Sequence, residues 1–495
     1  MREDVKIVLR DIGSLLLICG VATLLLLPVA GYYREWDAIP AILLMAAAFA
    51  AVGWPLSELK SWVEPRFRHA MMVAAGGWLV VPLVSTIPFI QVEGMGFIDA
   101  FFEAMSGWTG SGFTMIANLE PTADGLHTGT THTLLFWRSL MQWIGGVGVI
   151  VLTLSIVARS GAGAQSLYKA EGRDEKIRPT VIGTVREIWW IYVLLTALGL
   201  VLVFAAGMPL WDALNHAMTA IATGGYSTKD ASIGAYDSIY IELALVTVMF
   251  AGMVAFLVHF HVIGGNVKHF LKDVQVRYIA AIIAIATALL AYELWVFAPD
   301  KGWGWAVRES LFHFVSGMST GGFQTFSATD LGSLPDNAKL LIALGMILGG
   351  AAGSTAGGIK IFRGILLARG IAWKAKRVNL PANAVTSFKL YGKTMSDNEV
   401  NRDITEASFI LFLWAIVLVA GSFIMMHLIP GHSLVTVFFE VSSTLSNVGI
   451  SAGVYSPAMS DAAKLFATFM MWVGRLEIFP VIIFVREILR PGRVF

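Results

Sequence analysis

Two kinds of apolar segment alternate along this chain of 495 residues. The first kind is long and almost free of charge. "IGSLLLICGVATLLLLPVAGYY", "EIWWIYVLLTALGLVLVFAAG" and "ITEASFILFLWAIVLVAGSFIMMHLI" each reach the ~20 apolar residues an α-helix needs to cross a bilayer. The second kind is short and amphiphilic. "FFEAMSGWTGSGFT" (Phe101 to Thr114), "LNHAMTAIATGGYS" (Leu214 to Ser227), "LFHFVSGMSTGGFQ" (Leu311 to Gln324) and "FFEVSSTLSNVGIS" (Phe438 to Ser451) each predict a short helix that ends in Ser or Thr and then Gly. At ~1.5 Å per residue such a helix is ~15–20 Å long, too short to span.

The four short segments align as an internal repeat. One glycine is common to all four: Gly112, Gly225, Gly322 and Gly449. An apolar or aromatic residue follows each: Phe113, Tyr226, Phe323 and Ile450. Glu103, His216, His313 and Glu440 share another register position, where packing and hydrogen bonding around the loop is the simplest role and a direct ion site the alternative. Each short helix lies between two long apolar segments, so the pattern is long helix, half helix, loop, long helix, four times over. Two further helices precede it, near residues 10–31 and 38–57. The resulting division is 1–69 for the leading pair, 70–160 for the first unit and 161–262 for a loop plus the second. Residues 263–380 hold the third unit, and 381–495 a further segment plus the fourth.

Composition agrees. Hydrophobic residues make up 56% of the chain and charged ones 14%, with a net charge of +1, so a polytopic membrane protein is expected and net charge suggests no partner. Cys19 is the lone cysteine, which excludes a disulfide framework and a thiol metal site. The first segment has no small-residue cleavage site and reads as a retained helix. Lys and Arg concentrate in stretches around Lys60–Arg68, Arg159–Arg186, Lys268–Arg277, Arg363–Arg377 and Arg486–Arg493, whereas "MIANLEPTADGLHTGTTH" and "GISAGVYSPAMSDAA" have none. Basic loops stay inside. That places the N-terminus in the cytoplasm, provided each half helix re-enters and returns to the outer face. Arg138 is expected at the interface, and Trp189 and Trp190 in an aromatic belt.

Irregular polar backbone survives at membrane depth only when buried in protein or lining a watery cavity. Four such loops are most simply arranged around one axis, with carbonyl rings that replace the water shell of a cation. Glycine permits the strained dihedrals and keeps side chains out of the pore. Each half helix turns its partly negative C-terminal end toward the centre. Close helix packing is the alternative use of a glycine pair, but it does not account for four aligned copies.

These residues resemble the membrane subunit of Trk-type potassium uptake systems, in the Trk/Ktr/HKT superfamily, over essentially the whole chain. The two leading helices favour the Trk branch. The resemblance implies an all-α polytopic fold: four helix–pore helix–filter loop–helix repeats around a pseudo-fourfold axis, plus the two N-terminal helices. It implies a gated potassium pore in a bacterial plasma membrane, the inner one in a Gram-negative cell. Its filter centres on Gly112, Gly225, Gly322 and Gly449. The remaining carbonyls come from Thr109, Gly110 and Ser111; Ala222, Thr223 and Gly224; Ser319, Thr320 and Gly321; and Ser446, Asn447 and Val448. In some plant relatives a Ser at the first of these glycines accompanies sodium preference; four glycines point to potassium. A homodimer and a separate cytoplasmic nucleotide-binding ring protein of the TrkA type are implied partners. The basic stretches 159–186 and 363–402 are candidate docking surfaces or simple topogenic charge. K⁺ is the transported ion, with no cofactor.

The second long segment of the third unit, "LGMILGGAAGSTAGGIKIF", carries Gly349, Gly350, Gly353, Ser354, Thr355, Gly357 and Gly358. At about 1 kcal/mol per glycine a helix unwinds here, as a kink or, as the resemblance implies, as a mobile loop across the pore's inner exit. Arg475 lies deep in the last long segment and needs an interior partner. It either pairs with Glu477 or a pore-helix carboxylate, or approaches the glycine-rich loop as a barrier to cations. Lys360 adds charge at the loop's inner end or snorkels to the cytoplasm. "GAGAQS" (Gly161 to Ser166) lacks a preceding strand and is not read as nucleotide-binding. Three rivals remain: a sodium-preferring or sodium-coupled relative, a membrane enzyme using Glu103, Glu440 or the histidines, and an alternating-access carrier. The enzyme lacks convergent catalytic groups. The carrier predicts inverted repeats, and these four units run the same way.

Overall fold

The structure is a computed structural model that describes residues 3–62, 66–121, 129–148, 177–378, 388–390 and 393–489. The tail of the first unit's second long segment, "GAGAQS" and the basic residues Arg159, Lys169, Arg173, Lys176, Arg490 and Arg493 lie outside these residues.

Among the described residues, six helical spans are long and apolar enough to cross a membrane: Glu3–Tyr33, Trp36–Ser57, Phe67–Val92, Val181–Ala205, Val274–Phe297 and Asp397–Leu428. The first two are the leading pair. They approach closely because Gly13 and Gly53 face each other; a methyl group on Gly13 would sit 2.7 Å from the Gly53 carbonyl oxygen. Small residues at such crossings let backbones meet where lipid supplies no hydrophobic drive. The other four spans each open a unit.

A half helix follows each opener: Phe97–Thr109, Leu210–Ile221, Gly302–Met318 and Leu434–Leu445, of 13, 12, 17 and 12 residues. Even the longest rises only ~25 Å, short of the ~30 Å hydrocarbon core. All four are almost wholly buried over their last two turns.

The closing helix of the third unit breaks at its glycine cluster as expected, while those of the second and fourth units depart from the expectation of continuous spans. In the second unit Ile239–Met253 and Phe256–Ile263 meet at 105°, and in the fourth Asp461–Arg475 and Phe479–Leu489 meet at 114°. In the first unit His132–Val147 stops at Gly148, and in the third Asp336–Leu348 stops at Gly349 before Ile361–Val378 resumes. A glycine sits at one common position: Gly145, Gly252, Gly349 and Gly474. In three units a methyl group there would strike a carbonyl of that unit's own half helix, at Trp108, Ile221 or Leu445. The closing helix is thus pressed backbone to backbone onto the half helix and bends immediately below. In the fourth unit the bend puts Glu477 and Ile478 at positive φ, 53° and 71°.

One small sheet modifies the all-helical expectation. Phe388–Leu390 pairs antiparallel with Lys393–Met395, and Phe388 packs edge-on to Trp373 with ring centroids 6.0 Å apart.

Gly252→Leu is expected to destabilise the protein by about 1–3 kcal/mol through overpacking against the half helix. Its melting temperature in detergent checks this; an unchanged value would contradict the close contact.

Candidate functional site

All four half helices end in one way. The N–H groups of Gly110, Thr223, Thr320 and Asn447 donate three residues back, at 3.1–3.2 Å. Those of Ser111, Gly224, Gly321 and Val448 donate five residues back, to Ser106, Thr219, Ser316 and Ser443, at 2.8–2.9 Å. This is the Schellman arrangement, which demands a left-handed residue at its turn. Gly110 (φ 70°), Thr223 (52°), Thr320 (56°) and Asn447 (56°) occupy it. Two residues later the chain is left-handed again, at Gly112 (76°), Gly225 (84°), Gly322 (75°) and Gly449 (99°).

The second glycines close a ring. A methyl group on Gly112 would lie 2.5 Å from the Gly224 oxygen, and one on Gly225 would lie 2.8 Å from the Gly321 oxygen. One on Gly322 would strike the Val448 oxygen, and one on Gly449 the Ser111 oxygen. The contacts run from unit one to two, two to three, three to four, and four back to one. Each common glycine therefore rests on a carbonyl of the next strand, and any side chain there would force the strands apart. The structure brings the four sequence-derived strands together around one axis.

Side chains behind the ring hold the outer limb of each loop. Ser106, Thr219 and Ser316 hydroxyls donate to the carbonyls of Phe113, Tyr226 and Phe323 at 2.7, 2.9 and 2.6 Å, and Ser443 accepts from Gly449 N–H at 3.1 Å. The shared Glu and His position serves this purpose too. Glu103 accepts from Met115 N–H at 2.8 Å, and Glu440 from Ala452 N–H at 2.7 Å. His216 Nε2 lies 2.9 Å from the Ser227 hydroxyl, and Thr325 N–H reaches His313 Nε2 at 3.4 Å.

Arg138 is not interfacial. It is 1% exposed and donates from Nε to Glu103 at 2.8 Å and from Nη1 to the Ser227 carbonyl at 3.0 Å, with its guanidinium 3.9 Å above the Tyr226 ring. It pins strand two to half helix one. The signal was present in the sequence as a buried-type Glu and a lone Arg in apolar surroundings, each needing a partner. Trp190 is exposed on its helix, whereas Trp189 turns inward onto Trp143 and Tyr192.

Beneath the ring lies the glycine-rich stretch of the third unit. Its first half is tied to the bend of the second unit. Ala351 N–H donates to Met253 at 2.9 Å, Phe256 N–H to Gly353 at 3.0 Å, and Thr355 N–H to Gly252 at 3.2 Å. The Thr355 hydroxyl reaches the Ile221 and Gly252 carbonyls at 2.9 and 2.8 Å. Its second half touches the strands themselves. Gly357 N–H donates to the Thr320 hydroxyl at 2.8 Å, and a methyl group on Gly357 would strike the Ser446 carbonyl. Lys360 (φ 73°) folds back so that Nζ donates to the Ala356 carbonyl.

Arg475 faces this stretch. It donates to the carbonyls of Gly145 and Gly146, with the latter at 3.3 Å, and lies 5.1 Å from the Trp78 ring centroid. Glu477 instead pairs with Arg363 at 2.6 Å. Thr355, Gly357, Lys360, Asn447 and Arg475 line a common cavity of about 40 Å³, space on the scale of single waters.

Arg138→Met is expected to cost about 3–5 kcal/mol, because it leaves Glu103 as a buried uncompensated charge. Adding Glu103→Gln should recover part of that loss in a thermal melt. Strictly additive losses would contradict the pairing.

Comparison with known proteins places this geometry. The chain is 34% identical over 97% of its length to an uncharacterized cation transporter of Methanocaldococcus jannaschii, covering 95% of that protein. It is 30% identical over 97% of its length to the Trk system potassium uptake protein TrkH of Salmonella typhimurium, covering 98% of it. The crystal structure of the potassium transporter TrkH from Vibrio parahaemolyticus superposes with a TM-score of 0.82 at 27% identity, over 99% of both chains. Residues 39–495 match the model of the TrkH cation transport protein family. This chain is a member of the TrkH family of cation transport proteins.

Proposed function

We propose that this chain is the membrane subunit of a potassium uptake system and conducts K⁺ through the ring of four strands. The observation that carries the reading is the cyclic contact of Gly112, Gly225, Gly322 and Gly449 with carbonyls of the next strand. A cation crossing the ring sheds water and needs oxygens in its place. The residues from Thr109 to Gly112, Ala222 to Gly225, Ser319 to Gly322 and Ser446 to Gly449 supply them from backbone. Four half-helix C-termini add a negative potential at the same point. Glycine at all four common positions favours K⁺ over Na⁺.

The stretch from Gly349 to Lys360 serves as the gate and Arg475 as its charge. Gly350, Gly353, Ser354 and Gly358 provide the flexible, side-chain-poor backbone that such a loop needs to move. A unit charge ~10 Å from a permeating cation, at an effective dielectric of ~20, raises its energy by ~1.7 kcal/mol. The division at residues 69, 160, 262 and 380 then separates a leading pair from four pore units. The basic stretches at 177–186 and 363–378 face the cytoplasm with the N-terminus. They belong to the basic stretches 159–186 and 363–402, the candidate docking surfaces for a separate nucleotide-binding ring protein.

Flux into liposomes with K⁺, Rb⁺, Na⁺ and Li⁺ tests the filter. The parent is expected to carry K⁺ and Rb⁺ well ahead of Na⁺, and Gly322→Ser to lower the K⁺/Na⁺ ratio. A parent that carries Na⁺ equally, with a ratio unmoved by Gly322→Ser, would overturn it. Arg475→Ala is expected to raise K⁺ flux by up to about twentyfold, the rate equivalent of that repulsion. Unchanged or lower flux in correctly inserted protein would count against the gate charge.

A further inference from the structure

The closing helices of the four units align on a common glycine, which in three of them presses against the unit's own half helix. Three residues before it stand Gln142, Met249, Met346 and Met471. All four are completely buried. Three units thus have a buried thioether at this position, and one has an amide. The difference matters because a thioether offers no donor, whereas Gln offers a donor and an acceptor together.

Gln142 uses both on strand two. Its Nε2 donates to the Gly224 carbonyl at 2.6 Å, and its Oε1 accepts from Tyr226 N–H at 3.0 Å. The two bonds bracket Gly225. The amide restrains a strand whose adjacent glycines, Gly224 and Gly225, leave its backbone free, a pair that strand three shares in Gly321 and Gly322. It also reaches a particular atom. The Gly224 oxygen is the one that rests on Gly112, and its equivalents are the oxygens of Ser111, Gly321 and Val448. Among the described residues, Gly224 is the only one of these four carbonyls that accepts a hydrogen bond from a side chain. In the third unit's strand the facing residue is Met249, whose sulfur packs against Gly321 and cannot donate.

We infer that Gln142 is a specificity-determining positioning residue, which fixes the Gly224 carbonyl by a hydrogen bond from the first unit's closing helix and so sets the field strength of one oxygen in this layer. Selectivity among alkali cations depends on the number and field strength of the coordinating carbonyls. All four oxygens rest alike on a neighbouring strand's common glycine, and the one that also accepts a hydrogen bond from a side-chain amide is weakened as a ligand. This inference rests on the ring being the ion filter.

Gln142→Met tests it, because it installs the residue that the other three units already use and changes little volume. Gln142→Leu is made alongside, with Gly322→Ser in the same liposomes. The expected result is a fall in the K⁺/Na⁺ flux ratio of about fivefold, the size of one net hydrogen bond, with K⁺ flux per inserted protein largely kept. The preference of K⁺ over Na⁺ in raising the detergent melting temperature should shrink in parallel, a readout that needs no reconstitution. If Gly322→Ser shifts the ratio while both Gln142 variants keep the parent ratio, the inference is overturned and the filter reading stands. Equal losses of K⁺ and Na⁺ flux at constant ratio would reduce Gln142 to a structural role and overturn it as well. If Gly322→Ser also leaves the ratio unmoved, the filter reading fails, and this inference with it.

Discussion

Backbone polar groups that leave a helix inside a membrane must be satisfied by protein or by water in a cavity, at a cost of several kcal/mol for each that is not. This protein meets the constraint four times with one device. Each half helix stops in a Schellman turn that satisfies its last carbonyls, and two residues later a second left-handed residue redirects the strand against its neighbour. Everything around the axis follows from that repeated ending. The common glycines are required because a Cβ would occupy the place of the neighbouring carbonyl. The closing helices bend because they must first press onto the half helix through a glycine and then leave it.

Function enters through departures from fourfold repetition. Strand two alone is fastened by Arg138 and Gln142, one turn apart on the same helix. Unit three alone inserts the long glycine-rich stretch, and that stretch is bonded to strand residues as well as to the bend of unit two. Thr223 and Thr320, β-branched residues held at positive φ, belong to the same network. Thr320 accepts from Gly357, and the Thr223 hydroxyl lies 3.3 Å from that of Thr355. Such strain persists only where surrounding contacts over-determine it. Here those contacts come from the glycine-rich stretch, so movement of that stretch and relaxation of the strands would be mechanically linked.

Much of this was legible in the chain, for physical reasons. Half helices are visible because their length and amphiphilic pattern differ from those of a span. The fourth strand position is visible because left-handed backbone at close approach admits only glycine, so Gly112, Gly225, Gly322 and Gly449 align. The first left-handed position is not, because Thr223, Thr320 and Asn447 hide it. The bends after Met253 and Arg475 escaped because an apolar run reads the same whether straight or broken, and no proline marks Val254 or Ala255. Arg138 reads as interfacial from its linear position, which does not reveal that Glu103 lies across the bundle from it. Gln142 is marked in the closing helices as the polar residue at a position that holds methionine in the other three.

The central claim is that cations pass through the ring of glycines and adjoining carbonyls. Crystals or cryo-EM grids prepared in Rb⁺ or Tl⁺ test it most directly. The account predicts ion density on the axis, level with the carbonyls before Gly112, Gly225, Gly322 and Gly449, and its loss when Gly322 carries a side chain. Ion density at the buried carboxylates Glu103 or Glu440 instead, with none on the axis, would contradict it.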